Sequence, residues 1–117
     1  MKVRQFEDLI AWQKAQDLAV LVYQTFSNQK DYGFKDQICR ASVSVSNNIA
    51  EGFDRRTRVE FSRFLFIASA SCSEVRSMLY LAIRLKYIKQ SEFEELSNSA
   101  NEVSKIIFGL IRSIREK

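Results

Sequence analysis

The sequence of 117 residues contains no histidine, no proline and only three glycines. Without histidine it lacks the commonest general base, the Ser-His and Cys-His nucleophile pairs, and the Glu-x-x-His ligands of a di-iron bundle. It also has no glycine-rich phosphate loop. Carboxylates such as Glu51 and Glu74 show no converging spacing that would hold a metal ion. The sequence therefore predicts no enzyme, no metal site and no cofactor.

Cysteines and long apolar runs are also scarce. The two cysteines, Cys39 and Cys72, match no metal or redox spacing, as expected of a protein in the reducing cytoplasm. The N-terminus lacks the apolar region of a signal peptide. The longest apolar stretch, residues 18–23, is far shorter than the roughly 20 residues of a membrane span. We therefore expect a cytoplasmic protein without a membrane contact.

The shortage of helix breakers bears directly on the fold. A β-rich domain needs many glycine and proline turns, so their near absence favours long helices. Hydrophobic residues make up 46% of the chain, within the globular range, and the length fits one domain over residues 1–117. Four segments carry apolar residues at helical spacing. Short polar connections join them, which predicts an all-α, up-down-up-down antiparallel four-helix bundle.

Capping patterns indicate where the helices begin and end. The expected spans are roughly 8–27, 34–51, 57–87 and 91 onward. Helix 3 opens with the capping-box pattern formed by Thr57 and Glu60, and helix 4 opens with the same pattern at Ser91 and Glu94. Gly52 is expected to adopt the left-handed conformation after the last turn of helix 2.

Helices 2 and 3 carry a second stripe of small or apolar residues, away from the seam that faces their own bundle. Small side chains allow another helix to approach closely, and larger apolar ones add buried area. Isolated apolar residues on a surface often have no meaning. Because these recur at helical spacing on two adjacent helices, we predict a homo-oligomer to which every copy contributes the same patch. The stripe consists of Cys39, Val43, Ser46, Ala50, Phe66, Ala70, Ser73, Ser77 and Leu81.

Four arginines crowd the predicted turn between helices 2 and 3: Arg55, Arg56, Arg58 and Arg63. A cation in the first turn of a helix opposes the helix dipole, so this cluster needs an explanation. One function for it is a phosphate-binding patch, because arginine donates several hydrogen bonds from a flat head group. The net charge of +4 and the pI of about 9.2 favour anionic partners only mildly.

A purely structural interpretation of the same turn stays open. Glu51 lies at the unfavourable end of helix 2 and could pair with one of the arginines. The amide of Asn48 lies beside the core seam and must find hydrogen-bond partners. On this interpretation a network of motif residues fixes the turn and binds nothing. Its members are Arg40, Asn48, Glu51, Gly52 and Arg55.

Several of these residues also carry a resemblance to a known bacterial family. The run Asn48-Ile49-Ala50-Glu51-Gly52, followed by Arg55, is similar to the four-helix-bundle proteins encoded in intervening sequences of the large-subunit ribosomal RNA gene. The resemblance spans roughly residues 6–90, and Ala70 departs from it because the family usually has glycine there. The other residues that carry it are Phe6, Leu9, Trp12, Ala15, Leu18, Tyr23, Gln37, Arg40, Ala41, Ser44, Phe61, Phe64, Leu65, Ala68, Ser71 and Glu74.

The resemblance implies a small cytoplasmic homopentamer, arranged as a barrel around a central channel, and no catalytic residues. The same fold is used by the accessory protein of diversity-generating retroelements, which binds reverse transcriptase and nucleic acid. The principal hypothesis is therefore a non-enzymatic homo-oligomer that binds RNA, or a nucleic-acid-bound protein, through basic patches. The alternative is a protein–protein adaptor, such as an accessory subunit of a retroelement reverse transcriptase.

Overall fold

The structure is a computed structural model that describes residues 3–116. A short 3-10 helix at Phe6–Asp8 precedes four α-helices. The prediction of four helices is confirmed, and each begins and ends within a few residues of its expected bounds. The helices are α1 (Ile10–Thr25), α2 (Tyr32–Asp54), α3 (Arg58–Arg84) and α4 (Gln90–Arg115).

The four helices form an antiparallel bundle that measures 45 × 21 × 20 Å. Each helix packs against the next along the chain, and α1 also packs against α4, which closes the bundle. The most extensive of these pairings joins α2 to α3. In the diagonal pairs, α1 with α3 and α2 with α4, no Cα atoms of residues 3–116 approach within 8 Å. This arrangement confirms the predicted four-helix bundle.

One apolar core runs along the bundle. Every helix contributes fully buried side chains, among them Leu18 of α1, Ile38 of α2, Leu79 of α3 and Ile107 of α4. Such residues recur every three or four positions, so each helix turns one face inward. Full burial of a leucine or isoleucine contributes about 1.5–3 kcal/mol relative to exposure. This repeated apolar face, rather than any polar contact, holds the helices together.

Neither of the two predicted capping boxes forms in full. The Thr57 hydroxyl accepts a hydrogen bond from the backbone N–H of Glu60 at 3.2 Å, as predicted for the start of α3, but the Glu60 carboxylate accepts from Arg63 and not from the backbone of Thr57. At α4 the prediction is wrong, because the residue that precedes the helix is Lys89, two positions before Ser91. There the Glu92 carboxylate accepts from the backbone N–H of Lys89 at 2.8 Å, so only the glutamate half of a box is present, and lysine has no acceptor to complete it.

The prediction for Gly52 is wrong as well. Gly52 lies inside α2, which continues to Asp54, and its backbone is helical with negative φ. A Cβ atom added at Gly52 would lie 2.5 Å from the Cβ of Phe64. Glycine is therefore required by the close approach of α3 to α2 and not by the end of the helix. The left-handed residue of this connection is Arg56, with φ of 67°.

Candidate functional site

The α2–α3 connection consists of only three residues, Arg55 to Thr57, between Asp54 and Arg58. All three are exposed. The left-handed backbone at Arg56 reverses the chain within this short distance, and the Thr57 cap starts the next helix immediately. The connection therefore presents the arginines of the cluster at one end of the bundle.

Aromatic rings hold three of the four arginines in place. The guanidinium carbon of Arg55 lies 5.1 Å from the centre of the Phe64 ring, and that of Arg63 lies 4.9 Å from the same ring. Arg56 lies 5.6 Å from the ring of Phe53. Such cation–π contacts stabilise the charge over the ring face, while the N–H groups at the edge of the guanidinium can still donate to an anion.

The carboxylates near the turn neutralise only part of this charge. Arg63 donates to both oxygens of Glu60, at 3.1 and 3.3 Å. These hydrogen bonds lower the pKa of the Glu60 carboxyl and raise that of Arg63. Within residues 3–116, Arg55 and Arg56 have no carboxylate within ion-pair distance. The charge of Arg55 also contributes to the lowered pKa of Glu60, but neither Arg55 nor Arg56 forms an ion pair in the described chain.

The expected ionic network around Glu51 does not form. Arg40 pairs instead with Asp36, one turn earlier on the same helix, at 3.0 Å. Glu51 is exposed and makes no ion pair in the part of the chain that the structure describes. Helix geometry explains the difference, because a residue four positions away is a closer neighbour than one three turns away. The two residues do line one shallow cleft together with Asn47, Asn48 and other residues, and its volume is about 320 Å³.

Asn48 does have the hydrogen-bond partners that its position demands. Its amide nitrogen donates to the backbone carbonyl of Ser44 at 2.8 Å and to the Ser44 hydroxyl at 3.0 Å. That hydroxyl lies 2.9 Å from the hydroxyl of Ser71 on α3. Gln37 forms a second polar link between these helices by donating to Glu74 at 3.1 Å. Asn48 is therefore part of the α2–α3 contact and does not join the arginine cluster.

The second stripe divides into an exposed part and a buried part. For Cys39 and Ser46 the prediction is wrong, because both are buried inside the bundle. Ser46 accepts a hydrogen bond from Gln16 of α1 at 3.0 Å, and burial raises the pKa of the Cys39 thiol. Both residues lie toward α1 because the inward face of α2 is wider than its core seam alone. On α2 the half-buried members are Val43 and Ala50, and on α3 the exposed members are Phe66, Ala70, Ser73, Ser77 and Leu81.

A groove next to the turn combines apolar and basic residues from two helices. Its volume is about 630 Å³. The contribution of α4 was missed in the sequence, because only the fold brings Ile114 and Arg115 beside the start of α3. The spacing of the α3 residues was the available signal, since positions 59, 62, 63 and 66 share one side of a helix. The groove is lined by Arg58, Val59, Ser62, Arg63, Phe66, Ile114 and Arg115.

The described residues offer no group of three or more cysteines, aspartates or glutamates that could hold a metal ion. Of the helices in residues 3–116, none combines the length and apolarity needed to cross a membrane. The remaining cysteine, Cys72, is in the core, and burial raises the pKa of its thiol to about 11. Its thiol donates to the backbone carbonyl of Ala100 at 3.3 Å.

Four antiparallel helices around one core, with a basic turn at one end, define an all-α four-helix-bundle protein. The chain belongs to the family of 23S rRNA-intervening sequence proteins, whose model matches residues 7–109. The resemblance found in the sequence is thereby confirmed.

One solved structure supports the same assignment. It is described as a protein with unknown function from the S23 ribosomal protein family from Bacteroides thetaiotaomicron VPI-5482. The two structures align with a TM-score of 0.82 at 28% identity, over 87% of this chain and 98% of that one. A search of curated proteins gave no match. Neither the family description nor that of the solved structure states an activity.

Proposed function

We propose that this protein is a non-enzymatic homo-oligomer that binds RNA through the arginine cluster at the α2–α3 connection. The observation that carries the proposal is the set of contacts that Arg55 and Arg56 make and lack. Both rest on aromatic rings at an exposed turn, and neither forms an ion pair with a carboxylate within the described residues. Guanidinium groups held in this way are suited to phosphate oxygens, which dominate the affinity of proteins for nucleic acids.

Assembly would multiply this charge. The proposed contact surface is the exposed row on α3 from Ala70 through Ser73 and Ser77 to Leu81, and the family resemblance implies five copies. Phe66, the first α3 residue of the predicted stripe, lines the groove beside the turn and is not included in this surface. Leu81 is 46% exposed, and its neighbours in the row are small enough for a second helix to pack closely. A closed ring would bring one arginine cluster from every copy into the same assembly. A modest net charge per chain would then become a strong local field.

A salt-dependent binding titration tests the RNA claim. Structured RNA is titrated at two salt concentrations with the wild type and with the double variant Arg55→Gln/Arg56→Gln. We expect the variant to bind more weakly and to reduce the slope of log affinity against log salt by about 1–2. The matched control is Arg84→Gln/Lys89→Gln, which removes two charges at the other end of the bundle. Absence of binding by the wild type at low salt rejects the proposal.

Sedimentation analysis tests the assembly. Ala70→Leu adds a large side chain in the middle of the exposed row and is expected to lower the mass of the particle. Asn101→Leu, on the exposed face of α4, is the control and should leave the mass unchanged. A wild-type protein that sediments as a single chain contradicts the homo-oligomer.

A second candidate function is a protein–protein adaptor, such as an accessory subunit of a retroelement reverse transcriptase. The observation that favours it is the set of large apolar side chains exposed on α3, which include Ile67 at 39% and Tyr80 at 61%. Large apolar side chains left exposed are frequent at protein contacts. Co-purification with such a polymerase that survives nuclease treatment supports the adaptor, whereas loss of the complex on nuclease treatment supports RNA binding.

A further inference from the structure

Two shallow depressions meet at Arg58, beside the turn that carries the proposed RNA-binding arginines. The larger is the groove described above, with a volume of about 630 Å³, and its aromatic residue is Phe66, which is 44% exposed. The smaller has a volume of about 230 Å³ and is lined by Phe53 and Phe61. Arg58 lines both, and Arg56 lines the smaller one. The surface therefore alternates between aromatic and cationic groups.

This alternation matches the chemistry of a single nucleic-acid strand. In such a strand flat apolar bases alternate with anionic phosphates, and proteins bind it with aromatic platforms along a basic track. A duplex does not offer the same groups, because its bases are stacked inside it. Val59 and Ile114 add apolar surface to the larger depression, and the guanidinium of Arg115 adds positive charge.

The position of Arg58 favours an anion between the two depressions. Arg58 is the first residue of α3, where a cation opposes the helix dipole. A phosphate bound at this point would interact favourably both with the guanidinium and with the positive end of the helix.

We propose that this surface binds single-stranded RNA, with one base in each depression and the linking phosphate between Arg56 and Arg58. The inference rests on the proposed RNA binding and adds the class of RNA and the role of the bases. A phosphate patch alone would accept any RNA of sufficient charge. The aromatic depressions instead require unpaired bases.

The first test compares three ligands by fluorescence anisotropy at low salt. They are a short labelled RNA strand, its duplex of the same length, and a strand of that length whose nucleotides lack bases. We expect the base-free strand and the duplex each to bind about tenfold more weakly than the normal strand. Equal affinities for the three ligands overturn the inference and leave the proposed phosphate binding intact. Absence of binding to all three overturns both.

The second test uses a pair of matched variants. Phe66→Ala removes the platform of the larger depression, whereas Phe108→Ala removes a phenylalanine that is 42% exposed on α4 and does not line the groove. We expect Phe66→Ala to weaken binding of the normal strand about tenfold and to leave binding of the base-free strand unchanged. Phe108→Ala should change neither affinity. An equal loss for both strands would mean that Phe66 acts only through the shape of the site, and would overturn the stacking role.

A competition experiment separates RNA from an acidic protein partner. Polyglutamate carries comparable negative charge but no bases. Displacement of the RNA strand by polyglutamate at equal charge concentration, together with equally weakened binding of both ligands in Phe66→Ala, would show that the surface binds acidic peptides. That result would overturn the inference. We expect displacement only at a large excess of polyglutamate, with no effect of Phe66→Ala on its binding.

Discussion

The two connections that flank α3 are similar in backbone and opposite in chemistry. Each contains one non-glycine residue with positive φ, Arg56 at 67° before α3 and Lys86 at 62° after it. In the α3–α4 connection two side chains pack against the bundle. Ile88 is buried, and Tyr87 packs edge to face on Phe34 with 5.2 Å between ring centres. The Tyr87 hydroxyl also donates to the carboxylate of Asp31 at 2.7 Å.

The α2–α3 connection has no such inward anchor. Its three residues are exposed, and the guanidinium groups of Arg55 and Arg56 lie over the rings of Phe64 and Phe53. A connection that serves only to reverse the chain can bury its side chains, as the α3–α4 connection does. The cost of keeping cations at the start of a helix is offset when an anion binds there. This difference is why the two turns are assigned different roles.

Breaking the anchored turn should have the largest effect on stability. Ile88→Ala leaves a cavity under the α3–α4 connection, and we expect it to lower the free energy of unfolding by about 2–5 kcal/mol. The matched control is Val59→Ala, beside the other turn, where the side chain is 79% exposed. That substitution should change stability by no more than about 0.5 kcal/mol. Chemical denaturation measures both, and equal losses would contradict the difference between the turns.

Overfilling the close contact next to the arginine turn should have the next largest effect. Gly52→Ala places a methyl group 2.5 Å from the Cβ of Phe64, so the backbones of α2 and α3 must separate. We expect a loss of about 1–3 kcal/mol in the free energy of unfolding. At Gly109 the nearest atom to an added Cβ lies 3.9 Å away, at the end of the Arg112 side chain. Gly109→Ala should therefore stabilise the protein by about 0.5–1 kcal/mol. A destabilising Gly109→Ala, or a neutral Gly52→Ala, would contradict the close approach of α2 and α3 at Gly52 and the open space at Gly109.

These residues also illustrate what the sequence could and could not predict. The four helices and their antiparallel order depend on local periodicity and short connections, and both can be recognised from residues close together in the sequence. The role of Gly52 depends on Phe64, a contact between two helices, so the local signal of a glycine after a helix was misleading. For the same reason Cys39 and Ser46 were assigned to the outside, since spacing alone does not show how wide the inward face of α2 is.

The candidate site was predicted only in part. The cluster of Arg55, Arg56, Arg58 and Arg63 is contiguous enough to be seen in the sequence. The groove beside it is completed by Arg115, more than fifty positions away, and no local pattern connects that residue to the turn. Phe64, the ring under two of the arginines, is buried like a core residue. Its second function, as a support for Arg55 and Arg63, requires the coordinates.

Relieving the left-handed backbone of each turn sharpens the comparison. A non-glycine residue in this conformation costs about 1–2 kcal/mol. Glycine removes that strain, but it also increases the conformational entropy of the unfolded chain, which offsets part of the gain in stability. We expect Arg56→Gly and Lys86→Gly each to stabilise the protein by about 0.5–1 kcal/mol. Their effects on RNA affinity should differ, because only Arg56 belongs to the proposed site. Thermal denaturation and an RNA titration on the same samples test this, and a loss of affinity in Lys86→Gly would remove the distinction.

The smallest expected effect is a change in the pH dependence of stability at the anchored turn. The hydrogen bond from Tyr87, and then that from the backbone N–H of Phe34, lower the pKa of the Asp31 carboxyl below its ordinary value of 3.8. A lowered pKa means that this contribution to stability is present above the ordinary value and is lost as the pH falls through the folded value. The same bond raises the pKa of Tyr87 above 10.0, so a second contribution is lost as the pH rises through the folded pKa of the tyrosine.

Tyr87→Phe should therefore flatten the stability profile at both ends. As the pH falls through 3.8 and then through the lower folded pKa of Asp31, the variant should lose less stability than the wild type, and the alkaline loss should shrink as well. Tyr80→Phe is the control, because Tyr80 packs edge to face on Phe93 and its hydroxyl makes no hydrogen bond within the described residues. Since Asp31 also caps α2 through the N–H of Phe34, part of the acid dependence should remain in Tyr87→Phe. Identical profiles for the wild type and Tyr87→Phe would mean that the bond to Asp31 does not fasten this turn in solution.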